Sequence, residues 1–150
     1  MTNTGLIEKF YTAFAHADAE GMVSCYTDDI TFEDPAFGIL KGEDAKNMWR
    51  MLVNPGLSLI FSKVWADDNK GGAHWEATYT FSKTGRKVVN KIDAEFEFRD
   101  GKISKHTDHF SFWKWSAQAL GAPGFLLGWT PFLRNKVRQQ ALERLRNFKK

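Results

Sequence analysis

The chain has 150 residues, with 21 Lys and Arg against 18 Asp and Glu, a net charge of +3, 43% hydrophobic residues, 13 Phe and 6 Trp. That length suits one domain with a single sizeable core. The apolar content excludes intrinsic disorder, the lone Cys25 excludes a disulfide scaffold, and no apolar run approaches the ~18 residues of a membrane span.

The N-terminal residues Met1-Thr2-Asn3-Thr4-Gly5 carry neither a charged n-region nor an apolar h-region, so a soluble, cytoplasmic protein is expected. Leu6, Ile7, Phe10, Tyr11 and Phe14 then recur at the spacing of one buried helix face. Asp18 is placed to cap a second short helix running through Tyr26, with Met22, Val23, Cys25 and Tyr26 on its apolar side. Ile30, Phe32 and Asp34 alternate with Thr31 and Glu33 until Pro35 stops the run, which predicts a short strand ending in a carboxylate. Residues 42–52 return to helical spacing, and Asn54-Pro55-Gly56 makes a turn.

From Leu57 the pattern is strand. Four long strands are predicted at 57–66, 73–82, 87–99 and 102–115, the last pair joined by the tight turn Asp100-Gly101. Short connections make such strands antiparallel neighbours. Along 87–99, Val88, Asn90, Ile92, Ala94, Phe96 and Phe98 share the inward face, and Asn90 is the one polar residue among them. Trp75, Ala77, Tyr79 and Phe81 form the inward face of the preceding strand, and His106, Asp108, Phe110 and Phe112 share a face of the last.

Beyond residue 115 the chain is broken up by Gly121, Pro123, Gly124 and Gly128, and then Thr130-Pro131 starts a basic helix. Residues 131–150 hold seven Lys or Arg and one acid, Glu143, while the other 130 residues hold 14 basic and 17 acidic side chains. The basicity therefore belongs to one helix, and nucleic acid is not expected as a partner. Packing of this helix on the body is favoured over docking on an anionic membrane surface.

The helix hairpin, the run Tyr26-Thr27-Asp28-Asp29-Ile30-Thr31-Phe32-Glu33-Asp34-Pro35, a third helix and the strand meander resemble the NTF2-like superfamily, most closely its SnoaL-like and ketosteroid-isomerase-like branch. The resemblance implies an α+β fold, a cone-shaped barrel in which helices pack on the concave face of a curved antiparallel sheet. It divides the chain into a domain at 1–115 and a C-terminal helical extension at 116–150 packed on that domain. It also implies an apolar pocket for a small hydrophobic molecule and a homodimer. Asp34 matches the general base of the ketosteroid isomerases. Their oxyanion-hole Tyr falls on Phe10, and their second donor falls on Ala94, so a steroid-isomerase mechanism is disfavoured. The final-strand aspartate of limonene-epoxide-hydrolase-like and SnoaL-like enzymes matches Asp108, although the other two triad positions of the epoxide hydrolases fall near Trp75 and Ala77.

The candidate catalytic residues are thus Asp34, Asp108 and His106, for acid/base isomerase, cyclase or hydrolase chemistry without a cofactor. Trp75, Tyr79, Asn90, Phe96 and Phe110 are the candidate ligand-binding residues. The spacing of Asp34, His106 and Asp108 lacks the clustered pattern of zinc sites, so no metal is expected. The alternative reading is a non-catalytic ligand-binding or protein-interaction domain of the same fold.

Overall fold

A computed structural model describes residues 1–149. Helix α1 (Asn3–Ala15) buries Leu6, Ile7, Phe10, Tyr11 and Phe14, the five residues of the predicted stripe. Burying such side chains contributes roughly 1.5–3 kcal/mol each, so the stripe fixes α1 against the sheet. The Thr2 hydroxyl caps it by accepting the Gly5 N–H at 3.0 Å. Asp18 caps α2 (Ala19–Val23) in the same way through Gly21.

Strand β1 (Tyr26–Asp34) begins where the second helix was predicted to continue, and Tyr26 is its first residue. Strand β2 (Gly38–Lys41) folds back on β1 and had no counterpart in the predicted elements. Helix α3 (Glu43–Leu52) buries Ala45, Met48 and Trp49. Strands β3 (Ser58–Ala66), β4 (Lys70–Phe81), β5 (Arg86–Arg99) and β6 (Lys102–His109) form the antiparallel meander. Asp100 and Gly101 both have positive φ, at 54° and 76°, as a tight hairpin turn requires.

The six-stranded sheet runs β2-β1-β6-β5-β4-β3, curved and unclosed. All neighbours are antiparallel except β1 and β6, which pair in parallel. That parallel pairing aligns Phe32 with His106 and Glu33 with Thr107. One further step brings Asp34 beside Asp108. The core lies between the sheet and helices α1 and α3.

The predicted last strand is too long. β6 ends at His109, and residues 112–120 are helix α4 (Phe112–Leu120). The Ser111 hydroxyl accepts the Lys114 N–H at 3.2 Å, so a helix cap stops the strand inside an aromatic-rich run that alternates like a strand. Helices α5 (Ala122–Leu127) and α6 (Pro131–Phe148) follow. Thr130 caps α6 and Pro131 occupies its first turn, as predicted. α6 docks on the body through buried Leu133 and Leu145, the latter part of the main core, and through an ion pair of Lys149 with Asp44. Among the described residues no helix is long and apolar enough to cross a membrane.

Candidate active site

His106 is fully buried within five aromatic rings. Its imidazole lies 4.6 Å from the Phe96 ring, 5.1 Å from Phe32, 5.5 Å from Phe10, 6.1 Å from Tyr26 and 6.2 Å from Trp49. A buried imidazole must satisfy both nitrogens. The Trp49 indole N–H donates to the Tyr26 oxygen at 2.8 Å. Tyr26 is thereby left to donate its own hydrogen to His106 Nδ1 at 2.7 Å. The network thus assigns the imidazole proton to Nε2, which points at Asp108 Oδ1 at 2.8 Å. Trp75 Nε1 donates to the same oxygen at 3.3 Å. Two buried N–H groups therefore fix the Asp108 carboxylate in one orientation.

Asp34 stands at the end of β1. Its Oδ1 accepts the N–H groups of Ala36 at 2.9 Å and Phe37 at 2.6 Å. Burial pushes the Asp34 carboxyl up to about 7, and the neighbouring Asp108 adds to the rise. The two backbone N–H groups and the Arg138 guanidinium oppose it. Desolvation wins, because two hydrogen bonds do not replace the hydration of a charge.

Asp34 and Asp108 open into one cleft of about 340 Å³. Glu33, Pro35, Phe110 and Phe112 form part of its wall, and Arg134 and Arg138 of α6 also line it. Arg138 donates to the Pro35 and Ala36 carbonyls at 3.2 and 3.4 Å. Arg134 lies 5.6 Å from the centre of the Phe112 ring, in cation–π geometry. The cleft thus brings together the carboxylates of Asp34 and Asp108, an aromatic wall, the exposed Glu33 and two arginines of α6.

Of the candidate residues, Asp34, Asp108 and Phe110 meet at this cleft, and His106 sits directly behind Asp108. Trp75 is in the core and touches the site through its bond to Asp108. Phe96 is packed against His106 and borders a separate hollow of about 220 Å³ with Trp65, Glu95 and Glu97. Tyr79 accepts the Trp115 indole N–H at 2.8 Å, and burial with the nearby Asp34 raises its pKa. Asn90 is buried, paired in register with Ala77.

Arg134 and Arg138 were not among the candidates. Their signal was present as a basic i, i+4 pair on the amphipathic C-terminal helix. Tyr11, next to Phe10 in sequence, is also notable. Its hydroxyl is buried with no hydrogen-bond partner among the described residues, and burial together with Asp108 drives its pKa well above the usual tyrosine value.

Residues 7–106 match the profile of the SnoaL-like domain. No functionally curated protein matches the chain. A candidate polyketide cyclase from Xanthomonas campestris has a similar structure at 23% identity and TM-score 0.64, covering 77% of this chain and 94% of its own. A candidate polyketide cyclase from Pseudomonas putida superposes with TM-score 0.66 at 18% identity, covering 79% and 98%. A Catenulispora acidiphila protein with a ketosteroid isomerase-like fold, solved with trimethylamine, gives TM-score 0.66 at 15% identity over 84% and 97%. At these identities the likeness is one of fold.

Proposed function

The chain belongs to the SnoaL-like domain family, and from that premise we propose that it is a cofactor-independent acid/base enzyme acting on a small, apolar, oxygenated molecule. Asp34 is the proton acceptor. A carboxyl near 7 is half ionised at neutral pH, which suits a general base and contributes typically about 10²–10⁴ in rate. Asp34 removes a proton from a carbon next to a carbonyl, and the electron pair moves onto the carbonyl oxygen. With Phe10 and Ala94 at the family's oxyanion positions, the Arg134 guanidinium that lines the cleft takes that charge. In a β,γ-unsaturated ketone, protonated Asp34 then returns the proton at the γ-carbon of the dienolate; in a diketone, the enolate attacks the second carbonyl to close a ring and Asp34 protonates the resulting alkoxide. Asp108, oriented by His106 and Trp75, accepts a hydrogen bond from a substrate hydroxyl.

The observation that carries this reading is the meeting of Asp34 and Asp108 in one cleft with Asp34 raised to about 7. The cleft volume suits a compact, drug-sized ligand. In this reading residues 116–150 extend the 1–115 domain and supply the two arginines of its cleft. The alternative, a non-catalytic binding domain, draws on the bonds of Asp34 to Ala36 and Phe37, which a structural cap also makes.

The first half of the reaction is testable with simple substrates. Small cyclic ketones in deuterated buffer should lose their α-protons faster with the protein than without it, as read by proton NMR. Asp34→Asn should slow that exchange by about 10²-fold or more. Equal exchange by the variant and the wild type removes Asp34 from the chemistry. Ligand binding without any exchange favours the binding domain.

A further inference from the structure

Four large apolar side chains at the α5–α6 corner are exposed to solvent: Phe125 is 58% exposed, Leu126 63%, Trp129 70% and Phe132 70%. Leu127 and Trp113 are also exposed beside them. Isolated exposed apolar residues need no explanation, whereas four within eight residues of chain, with Trp113 packed on Phe125, do.

The backbone of this corner is built to leave water. A helix end normally leaves its last carbonyls to the solvent. Here three consecutive carbonyls at the end of α5 are each taken by a side chain. Trp113 Nε1 donates to the Phe125 oxygen at 2.9 Å, and Trp129 Nε1 to the Leu126 oxygen at 3.0 Å. The Thr130 hydroxyl and backbone N–H both donate to the Leu127 oxygen. The two indole N–H groups are thereby satisfied as well. Such internal pairing is the condition for placing backbone in a medium without hydrogen-bond partners.

The corner is also tightly packed on α4. Gly124 lies so close to α4 that a Cβ there would fall 1.9 Å from the Ser116 carbonyl oxygen, and one at Gly128 would fall 2.1 Å from the Ser116 hydroxyl. The apolar side chains are thus presented on a packed platform.

Within the segment itself the charge is almost wholly positive, while the acids Glu33, Asp34 and Asp108 belong to the adjoining cleft. From Phe112 to the end of the chain the single acid is Glu143, and the exposed Lys114, Arg134 and Lys136 each lie within four residues of Trp113 or Phe132 in sequence. A basic surface around exposed Phe, Leu and Trp is the composition of an interfacial anchor on anionic lipid. We propose that the α5–α6 corner docks the protein on the surface of an anionic bilayer, inserting Phe125, Leu126, Trp129 and Phe132 to the depth of the headgroups. The corner adjoins the cleft through Phe112 and Arg134. Docking there sets the mouth of the cleft beside the lipid, where apolar molecules concentrate.

The test is co-sedimentation of the full chain with sucrose-loaded vesicles, without substrate. Vesicles of phosphatidylcholine with about a quarter phosphatidylglycerol should retain it at least ~10-fold better than phosphatidylcholine alone, and added salt should weaken the retention. Leu126→Glu places a charge on an exposed side chain and should lower retention ~10-fold with an unchanged unfolding transition. Lys114→Glu with Lys136→Glu should abolish the preference for anionic lipid while leaving Leu126 intact. Retention by neither vesicle, or retention that both variants keep, overturns the proposal. A concentration-dependent dimer in sedimentation velocity that Leu126→Glu dissociates also overturns it, because a second copy then covers the corner.

Discussion

Arg138 on the C-terminal helix donates to the carbonyl of Pro35, 103 residues away, at 3.2 Å. The same guanidinium lowers the pKa of Asp34, against burial and Asp108, which raise it to about 7. Burial dominates, and the C-terminal helix thus adds a smaller opposing influence on a residue that the strand end supplies. Arg138→Met removes the cation and keeps most of the side-chain stem. The Asp34 titration, followed by carboxyl carbon NMR, should then move above 7. A midpoint that stays in place or falls contradicts the coupling.

Asp34 also makes stability depend on pH. Its folded-state pKa of about 7 lies above the ordinary 3.8. Between these values the native protein holds a proton that the unfolded chain releases, so stability falls as pH rises through the window. Below about pH 4 the stabilising contribution is fully present, and above 7 it is lost. Asp34→Asn keeps an oxygen for the Ala36 and Phe37 N–H groups and carries no charge. It should match the wild type near pH 4 and exceed it by about 1–3 kcal/mol near pH 8 in urea unfolding. Parallel pH profiles for the two proteins would falsify the placement of a titrating carboxyl here.

Much of the fold was legible because its signals are local. The α1 stripe, the alternation along β5 and the Asp100-Gly101 turn each depend on a few adjacent residues, and each appears as read. The end of β6 was not legible from alternation, because Phe110, Phe112, Trp113 and Trp115 satisfy both periods. Ser111 as a cap decides the matter in favour of a helix. The parallel pairing of β1 with β6 has no short-range signal, since it joins segments over 70 residues apart. It is this pairing that sets Asp34 beside Asp108. The two carboxylates could be nominated by their faces, while the arginines that share their cleft depend on where α6 docks.

The Tyr26 hydroxyl bridges Trp49 and His106 inside a fully buried ring cluster. Tyr26→Phe leaves the Trp49 N–H and His106 Nδ1 without partners, and each unsatisfied buried group costs about 1–3 kcal/mol. A loss of about 2–4 kcal/mol is expected in urea unfolding. The variant also frees His106 to change tautomer, so Asp108 loses its fixed donor. Proton exchange of the model ketones should fall less than with Asp34→Asn, because Asp34 is untouched.

Tyr11 provides the opposite case. It is as deeply buried as Tyr26, stacks on Phe61 at 5.4 Å and meets Trp75 at 6.1 Å, yet its hydroxyl has no hydrogen-bond partner among the described residues. Removing such a hydroxyl removes a desolvation cost and keeps the ring packing. Tyr11→Phe should therefore leave stability unchanged or raise it by about 1 kcal/mol, where Tyr26→Phe lowers it. The ring itself carries weight in the core, so Tyr11→Ala should cost about 3–5 kcal/mol. If Tyr11→Phe instead destabilises the protein by more than about 1 kcal/mol, the hydroxyl has a partner in solution. An ordered water bridging Tyr11 to Asp108, whose charge helps raise the Tyr11 pKa, is then the arrangement to seek.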